Sequence, residues 1–459
     1  MNVLDYGALG DGHTDDLAAI NKAIAAAGNG GRVHFPGQHN YVHSGLIVAN
    51  SVNLFGDGAS TTLTASDPTN GAIELTGTGS SVSQMVVGYG APVASGGSIP
   101  QRAAIWISGN GATVDQVTVS NASDSGIVAI LSNNCTITND LISNVSYLCL
   151  LIQGCNTVLV DNNSIQPTQT SGPAEFRVDT SSGTTYCQNV TFTRNTFNRG
   201  IVLMTHLLAG RFDNNSVTNG GFELIGNLSG NIAPSSNLEF LGNTFNASSF
   251  YGNIYILGDP VGPGGTLQVA NNTFTGLRRF DNQSGSFYMV EDPSITTGWG
   301  KIQITNNTFT NAELKPIYMY YVWNVNISSN TIDTISDVGM QLGSCINLVV
   351  DGNTIKNTMG SAIYEGLDSQ TSHAGTYDIS GNTISNACTQ TGSNAVDVIY
   401  CGYAGNGTYK SFTVTNNNYL GPANQAQNYI EVDVPSSACG SRTITGNITS
   451  TTLPNLIVP

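Results

Sequence analysis

The chain has 459 residues, of which only 10% are charged, and it contains 53 glycines. Its 14 basic and 30 acidic residues give a net charge of -16, which argues against nucleic acid or an anionic membrane as a partner. Few charges and many small polar residues are typical of stacked strands with polar corners, not of a helical enzyme. No apolar stretch is long enough to span a membrane.

Residues 1–60 are predicted to form an N-terminal cap and the first coils of a solenoid. Thr14 is expected to cap a helix whose first turn carries Asp15 and Asp16, and Gly28 is expected to end it. Such a helix would cover the open end of a solenoid, whose strand edges otherwise pair with other chains. Its apolar stripe comprises Leu17, Ile20 and Ile24.

A short phrase centred on asparagine recurs eleven times, at spacings of 20 to 35 residues. Thr305-Asn-Asn-Thr-Phe and Asp351-Gly-Asn-Thr-Ile are two examples. A loose period of this length predicts a solenoid whose coils differ in their loops. Asparagine suits a tight corner because it tolerates a left-handed backbone, and stacked corners allow its amides to bond along a ladder. The central residues are Asn163, Asn195, Asn215, Asn243, Asn272, Asn307, Asn330, Asn353, Asn382, Asn417 and Asn447.

These repeats predict an all-β fold, a single-stranded right-handed parallel β-helix of about 11–13 coils with an N-terminal capping helix. We expect one domain over residues 1–459. The cap and first coils are assigned to residues 1–60, the β-helix coils to 61–450 and a C-terminal tail to 451–459.

An apolar strand with alternating inward and outward residues follows each asparagine corner. When ten of these strands are aligned on their first inward residue, nine of the next inward positions are apolar. Glu365 is the exception, which suggests a local slip of register. The outward positions between them form a column: Arg177, Val202, Glu223, Tyr255, Tyr288, Tyr318, Gln341, Tyr364, Asp397 and Glu431.

The tyrosines of this column are predicted to bind carbohydrate. Rings about 4.8 Å apart suit the apolar faces of successive sugars and leave hydroxyls for hydrogen bonds. The alternatives are an aromatic ladder that packs adjacent coils, or a face buried against another subunit. The predicted substrate-binding residues are Arg177, His206, Tyr255, Tyr288, Tyr318, Tyr364 and Gln341.

A second column, five residues after the first inward position, contains a predicted catalytic pair. Asp259 and Asp292 are expected on adjacent coils, with Glu291 beside them and His206 two coils away. Two such carboxylates do not ionise independently, so the pKa of one rises, which makes an acid and its partner. Their separation is expected near the ~5–5.5 Å of a retaining glycosidase, or near the ~6.5–9.5 Å of an inverting one. Turn capping and a calcium site are the alternatives.

A second candidate cluster lies on one strand face. Glu175, Arg177 and Asp179 alternate there, near Glu223, and a surface ion-pair network is the alternative. The predicted catalytic residues are therefore Asp259, Asp292, Glu223, Glu291 and Asp179, and no metal ligands are assigned.

The N-terminal segment resembles a known superfamily. Val3-Leu-Asp-Tyr-Gly-Ala-Leu-Gly-Asp-Gly-His-Thr-Asp-Asp and Gly30-Gly-Arg-Val-His-Phe-Pro-Gly are similar to the opening of pectate-lyase-type right-handed parallel β-helix proteins. The resemblance implies the same fold over most of the chain. The superfamily includes polysaccharide lyases, glycoside hydrolases, uronan epimerases and phage tailspikes, so it implies carbohydrate chemistry without selecting a reaction. The Tyr-Gly-Phe-Asp-Pro-His-Glu motif of alginate epimerases is absent from the sequence.

The charges of the chain favour some of these reactions over others. Elimination across a uronate requires a cation near its carboxylate and a base for its proton. The coil faces offer Arg177 and little else that is basic, and the acidic chain would repel a polyanion. We therefore predict a glycoside hydrolase or transglycosylase that acts without a cofactor on a polysaccharide or oligosaccharide. A polysaccharide lyase, which would use calcium, is the first alternative, and a tailspike-like depolymerase or binding module is the second.

The eight cysteines leave two interpretations open. Cys155 and Cys187 fall in adjacent coils, close enough for a disulfide, but buried thiols that fill a turn fit equally well. We expect a secreted or extracellular protein, although no signal peptide precedes Met1. A monomer or a homotrimer is expected.

Overall fold

The structure, a computed structural model, describes most of the chain. The described residues are 1–90, 102–122, 124–145, 147–166, 175–179, 185–205, 207–225, 237–246, 252–257, 265–277, 285–290, 300–366, 374–390, 397–402, 408–422, 424–450 and 452–457. They form two compact units, Met1–Val217 and Thr218–Pro459. The predicted single domain remains a prediction.

Short parallel strands make up nearly all regular structure in both units, which confirms the all-β class. The strands are numbered β1 to β45 in chain order. Those of the first unit, β1 to β20, are Asp11–Asp15, Arg32–Phe35, His39–His43, Ile47–Asn50, Asn53–Gly56, Thr61–Ala65, Ile73–Thr76, Ser81–Tyr89, Ala103–Ile107, Thr113–Ser120, Ser125–Ile130, Asn133–Thr138, Leu141–Ser143, Leu148–Gln153, Asn156–Asp161, Ser164–Gln166, Glu175–Asp179, Gln188–Thr193, Thr196–Thr205 and Gly210–Asp213.

Strand β21 is Ser216–Ile225, and the strands of the second unit follow it. In order, β22 to β45 are Leu238–Leu241, Thr244–Asn246, Gly252–Leu257, Thr266–Ala270, Thr273–Thr275, Gly285–Val290, Lys301–Thr305, Thr308–Ala312, Lys315–Tyr320, Trp323–Ser328, Thr331–Ile335, Met340–Gly343, Ile346–Asp351, Thr354–Thr358, Ile363–Gly366, Ala374–Ser380, Thr383–Ser385, Asp397–Cys401, Thr408–Thr415, Asn418–Tyr419, Asn428–Val432, Arg442–Thr445, Ile448–Thr449 and Asn455–Ile457.

Each coil of the second unit contributes one strand to each of three parallel ladders, so this unit is a parallel β-helix. Apolar side chains from all three ladders fill its interior. One ladder, which we call the tyrosine wall, consists of β24, β27, β30, β33, β36, β39, β42 and β45.

The predicted capping helix is present as α1 (Leu17–Ala27), but its N-cap is Asp16, not Thr14. Thr14 lies in β1, and the Asp16 carboxylate accepts hydrogen bonds from the Leu9 and Gly10 amides, so it braces the preceding loop. Gly28 ends the helix with a φ of 65°. Short 3-10 helices span Val3–Tyr6, Gly58–Ser60 and Ser436–Ala438. No described helix is long and apolar enough to cross a membrane.

The asparagine ladder is confirmed within each unit. Asn330 shows the pattern: its Oδ1 accepts from the amide and the Nδ2 of Asn307, at 2.9 and 3.0 Å. Its Nδ2 donates to the Ile304 carbonyl (2.8 Å) and to Asn353 Oδ1 (3.0 Å). Each ladder residue thus satisfies buried groups of two coils, which is why the repeat needs an amide.

The left-handed corner lies one residue earlier than predicted. Ser329 (φ 57°) precedes Asn330, and Arg194 (φ 54°) precedes Asn195, whereas the ladder asparagines themselves have no positive φ. The ladder residue is therefore selected for its hydrogen bonds and not for backbone tolerance.

Asp140 occupies a ladder position in the first unit. The Val117 amide donates to its Oδ1 at 2.7 Å, and its own amide donates to Asn163 Oδ1 at 2.9 Å. Its Oδ2, where the other members carry a donating Nδ2, is buried and accepts no hydrogen bond from a described residue. Burial raises the pKa of Asp140 to about 8, so a protonated carboxyl replaces the amide at neutral pH.

We expect Asp140→Asn to stabilise the first unit, by roughly 1–3 kcal/mol at pH 9, because the amide restores the donor. Because folding raises the pKa of Asp140, the wild type loses stability as the pH rises from about 4 to about 8. The stability difference between Asp140→Asn and the wild type therefore grows over this pH range. Calorimetric Tm values at pH 5 and pH 9 test this, with exposed Asp351→Asn as control. An equal Tm shift at both pH values would contradict it.

Glu365 is not a register slip. It pairs with Leu342 on one side and Cys401 on the other, and its side chain is 0% exposed in the interior. Neither carboxyl oxygen has a hydrogen-bond partner among the described residues. Burial raises the pKa of Glu365 to about 8.

All eight cysteines are thiols, so of the two interpretations the buried thiol applies to Cys155 and Cys187. The Cys155 thiol donates to the Ala129 carbonyl (3.4 Å), and the Cys187 thiol donates to the Asp179 carbonyl (3.2 Å). Burial raises the pKa of Cys187 to about 12, so the thiol is unreactive at neutral pH.

Candidate functional site

The strand register confirms the predicted column over most of the tyrosine wall. Tyr255 pairs with Tyr288, Tyr288 with Tyr318, Tyr318 with Gln341, and Gln341 with Tyr364. These side chains alternate with buried neighbours, so they face outward from one wall. The predicted alignment therefore holds for five consecutive coils.

The predicted column is wrong by one residue in β19 and by three residues in β39. In β19, Val202 pairs with Phe176 and is buried, so it does not face outward. In β39, Tyr400 and not Asp397 pairs with Tyr364. Both segments carry apolar residues at odd and even positions, so alternation alone does not determine which residues face the interior.

Adjacent tyrosine rings cover one another. The Tyr255 and Tyr288 centroids lie 4.5 Å apart with planes 13° apart, and those of Tyr288 and Tyr318 lie 5.0 Å apart with planes 4° apart. Tyr288 is consequently only 5% exposed. Its two faces contact other rings, so any sugar contact at Tyr288 would involve the ring edge or the hydroxyl. Tyr364 and Tyr400 form a second stack, 4.9 Å apart.

A column of glycines lies beside the rings. A Cβ at Gly343 would clash with the Tyr320 ring, and Cβ atoms at Gly366 and Gly402 would lie 3.1 and 2.9 Å from the Cε1 atoms of Tyr364 and Tyr400. Gln341 Nε2 donates to Tyr320 Oη at 2.8 Å, which fixes that ring further. The glycines allow the rings to lie against the sheet.

Lys315 is a basic residue on this wall that the sequence analysis missed. Its Nζ lies 5.4 Å from the Tyr318 ring centroid and 3.6 Å from Asp337 Oδ2, and the residue is 7% exposed. The ring and the carboxylate both stabilise the buried ammonium. The wall therefore carries a cation, but one that is already paired.

Beyond Tyr400 the column reaches Glu431, which together with Asp397 and Asp433 forms what we call the carboxyl cluster. Glu431 pairs with Tyr400 and takes the next outward position. Asn428 Nδ2 donates to Asp397 Oδ1 (2.7 Å) and to Glu431 Oε2 (3.1 Å). The Tyr400 hydroxyl donates to Asp433 Oδ2 at 3.2 Å.

The Glu431 carboxyl in the cluster titrates close to neutral pH. Burial, together with the hydrogen bond and the charge of Asp397, raises the pKa of Glu431 to about 7. Burial also raises the pKa of Asp433, although the Tyr400 hydroxyl opposes this. A carboxyl whose pKa lies near 7 is suited to act as a general acid.

Several predicted site residues lie outside the described residues: Asp259, Asp292, Glu291 and His206. Of the others, Arg177 and Asp179 lie on β17 in the first unit, whereas Glu223 lies on β21 in the second unit and pairs with Tyr255. Their proposed roles remain predictions. In the described part of the chain, no group of three or more His, Cys, Asp or Glu side chains is arranged to hold a metal ion.

Glu431 belongs to the outward column predicted from the sequence but has no predicted role there, and Asp433 is not among the predicted site residues. One sequence pattern does point to these two acids. In Asn428-Tyr-Ile-Glu-Val-Asp, two acids occupy alternate positions of an apolar strand, on the face that carries the tyrosines.

Family comparisons agree with this architecture. The right-handed beta helix region family matches residues 71–274 and 231–419, which together exceed half of the chain. The chain belongs to this family. Residues 1–139 of this right-handed β-helix protein also match the family described as rhamnogalacturonase A/epimerase, pectate lyase-like. Both matches confirm the predicted superfamily and fold.

Solved structures share the fold at low identity, and no curated protein matches this β-helix protein in sequence. The catalytic unit of a thermostable GH87 alpha-1,3-glucanase from Streptomyces thermodiastaticus is 17% identical, with a TM-score of 0.52 over 94% of this chain and 69% of the glucanase. PfbA, a surface adhesin of Streptococcus pneumoniae, is 17% identical, with a TM-score of 0.48 over 94% and 93% of the two chains. Bacteriophage CBA120 tailspike protein 3 is 12% identical, with a TM-score of 0.44 over 97% and 61%.

Proposed function

We propose that this protein is a secreted carbohydrate-active enzyme that hydrolyses a polysaccharide or oligosaccharide, or transfers its glycosyl units, with paired carboxylates. One observation carries the proposal: the tyrosine wall continues, strand by strand, into the carboxyl cluster. Aromatic edges, hydroxyls and amides on one outward wall suit a polyhydroxylated chain. A carboxyl with a raised pKa at the end of that wall suits cleavage of a glycosidic bond.

Charge favours a neutral or weakly charged glycan as the substrate. The net charge of -16 repels polyanions, and the Lys315 ammonium is already paired with Asp337. A lyase is the alternative, and for it the Lys315 ammonium beside Tyr318 would have to exchange Asp337 for the carboxylate of a uronate. A lyase of this kind would use calcium as well.

Incubation with a glycan panel tests the proposal. The panel comprises alpha-1,3-glucan, rhamnogalacturonan and mannuronan, each with and without a chelator. We expect new reducing ends from at least one glycan, no ultraviolet absorbance from unsaturated uronate, and no effect of the chelator. Reducing ends accompanied by that absorbance would establish the lyase, and the absence of both would overturn the enzyme proposal.

A further inference from the structure

The position of Glu431 relates it to a glycan on the tyrosine wall. Glu431 lies on β42, faces outward and is half-buried, one strand beyond Tyr400 and two beyond Tyr364. Neighbouring strands are about 4.8 Å apart. A glycan that lies across the strands along the stacked rings of Tyr364 and Tyr400 therefore reaches the Glu431 carboxyl next.

Asp397 offers the Glu431 carboxyl a buried acceptor. Asp397 is 1% exposed, and its Oδ1 accepts from the Asn428 amide (3.0 Å) and from Asn428 Nδ2 (2.7 Å). Its Oδ2 is buried and accepts no hydrogen bond from any donor in the described part of the chain. A buried carboxylate oxygen requires a donor, and a protonated Glu431 carboxyl beside it supplies one.

Asp433 carries the second carboxyl that a glycosidic bond beside Glu431 would meet. It lies two residues after Glu431 on the same outward face, so the two Cα atoms are about 6.6 Å apart along the strand. The Tyr400 hydroxyl donates to Asp433 Oδ2, which opposes the rise in the pKa of Asp433 that burial and the neighbouring Glu431 cause. The Glu431 and Asp433 carboxyls hydrogen-bond to each other in this structure. A glycosidic oxygen and a water that enter between them would have to part them to the ~6.5–9.5 Å that a single displacement by water requires.

We propose that Glu431 is the proton donor and Asp433 the base of the glycan hydrolysis, with Asp397 as the positioning residue that retains the Glu431 proton. This assignment rests on the proposed function. The glycosidic oxygen takes the Glu431 proton and leaves with the electron pair of the broken bond to the anomeric carbon. A water oxygen forms the new bond to that carbon, and its proton passes to Asp433. Exchange with solvent then returns a proton to Glu431 and removes one from Asp433.

The test compares four groups of variants on whichever panel glycan the wild type cleaves, namely alpha-1,3-glucan, rhamnogalacturonan or mannuronan. Glu431→Gln and Asp433→Asn should each lower kcat about 10³-fold, in the range typical of general acid–base groups. Asp397→Asn should keep the rate within about tenfold but shift the alkaline limb of the pH profile to lower pH, because the variant lacks the Asp397 charge that raises the pKa of Glu431.

Asp351→Asn, which changes an exposed acid on another wall, is the matched control. Asp259→Asn and Asp292→Asn test the competing pair. Circular dichroism and Tm verify that each variant is folded.

A failure of the roles given to Glu431 and Asp433 and a failure of the proposed function would give different results. Loss of activity in Glu431→Gln and Asp433→Asn, with a shifted pH profile in Asp397→Asn, supports the assignment. If folded Glu431→Gln keeps more than a tenth of the wild-type rate, the assignment is overturned and the proposed function stands. An unshifted pH profile in Asp397→Asn overturns the role of Asp397. A wild type that releases no reducing ends from any of the three glycans overturns both proposals.

Discussion

Asn330→Ala is expected to destabilise the second unit by roughly 3–5 kcal/mol, a large effect for one side chain. The substitution deletes an amide whose Oδ1 accepts two hydrogen bonds from Asn307 and whose Nδ2 donates to Ile304 and Asn353. The partners remain buried with unsatisfied donors and acceptors, each of which costs about 1–3 kcal/mol. Urea unfolding followed by circular dichroism measures the loss.

Ser329→Asn is the matched control for this prediction. Ser329 is exposed, has a left-handed φ of 57° and belongs to the same corner, so asparagine should be tolerated there within about 0.5 kcal/mol. Hydrogen exchange supplies a local measurement, because the Asn307 amide loses its acceptor only in Asn330→Ala. A loss below about 1 kcal/mol in Asn330→Ala would show that solvent or a shifted neighbour replaces the amide.

Glu365→Leu is expected to stabilise the second unit by roughly 4 kcal/mol at pH 9. The carboxyl is fully buried, has no hydrogen-bond partner among the described residues and has a pKa raised to about 8 from 4.5. One pKa unit corresponds to about 1.4 kcal/mol, so ionisation of Glu365 in the folded state is costly. Leucine fills a similar volume beside Leu342 and removes the cost.

The expected pH dependence has a definite sign. Because folding raises the pKa of this acid, the folded chain holds more protons than the unfolded chain between about pH 4.5 and pH 8. The contribution of Glu365 to stability is therefore greatest below this window and falls as the pH rises through it. Glu365→Leu should lack this decline.

Unfolding free energies at pH 5, 7 and 9 measure the decline, and Glu365→Gln is the control that removes the charge but retains a polar group. Glutamine should remove the pH dependence while gaining less stability than leucine, since its amide remains buried. A wild type whose stability rises between pH 5 and pH 9 as much as that of Glu365→Leu would contradict the assignment of an uncharged Glu365.

The fold could be predicted from local patterns because every coil carries the same short sequence features. Each ladder asparagine lies in a recognisable phrase, and in the column from Tyr255 to Tyr364 each Tyr or Gln lies between two inward residues that are apolar except at Glu365. The prediction failed at Val202 and Asp397, where both parities are apolar and the sequence permits either face to be buried. It also misread Glu365 as a slip, since a carboxyl facing the core is rare.

The sequence by itself determined the β-helix, the asparagine ladder and most of the outward tyrosine column, because these depend on residue spacing within one coil. Only the tertiary structure decided that the rings stack on one another, that Lys315 is paired with Asp337, and that Asp397 lies beside Glu431. These contacts join residues from different coils, separated by loops of varied length. Burial and electrostatic coupling arise when such residues meet in space, so no pattern within a single coil encodes them.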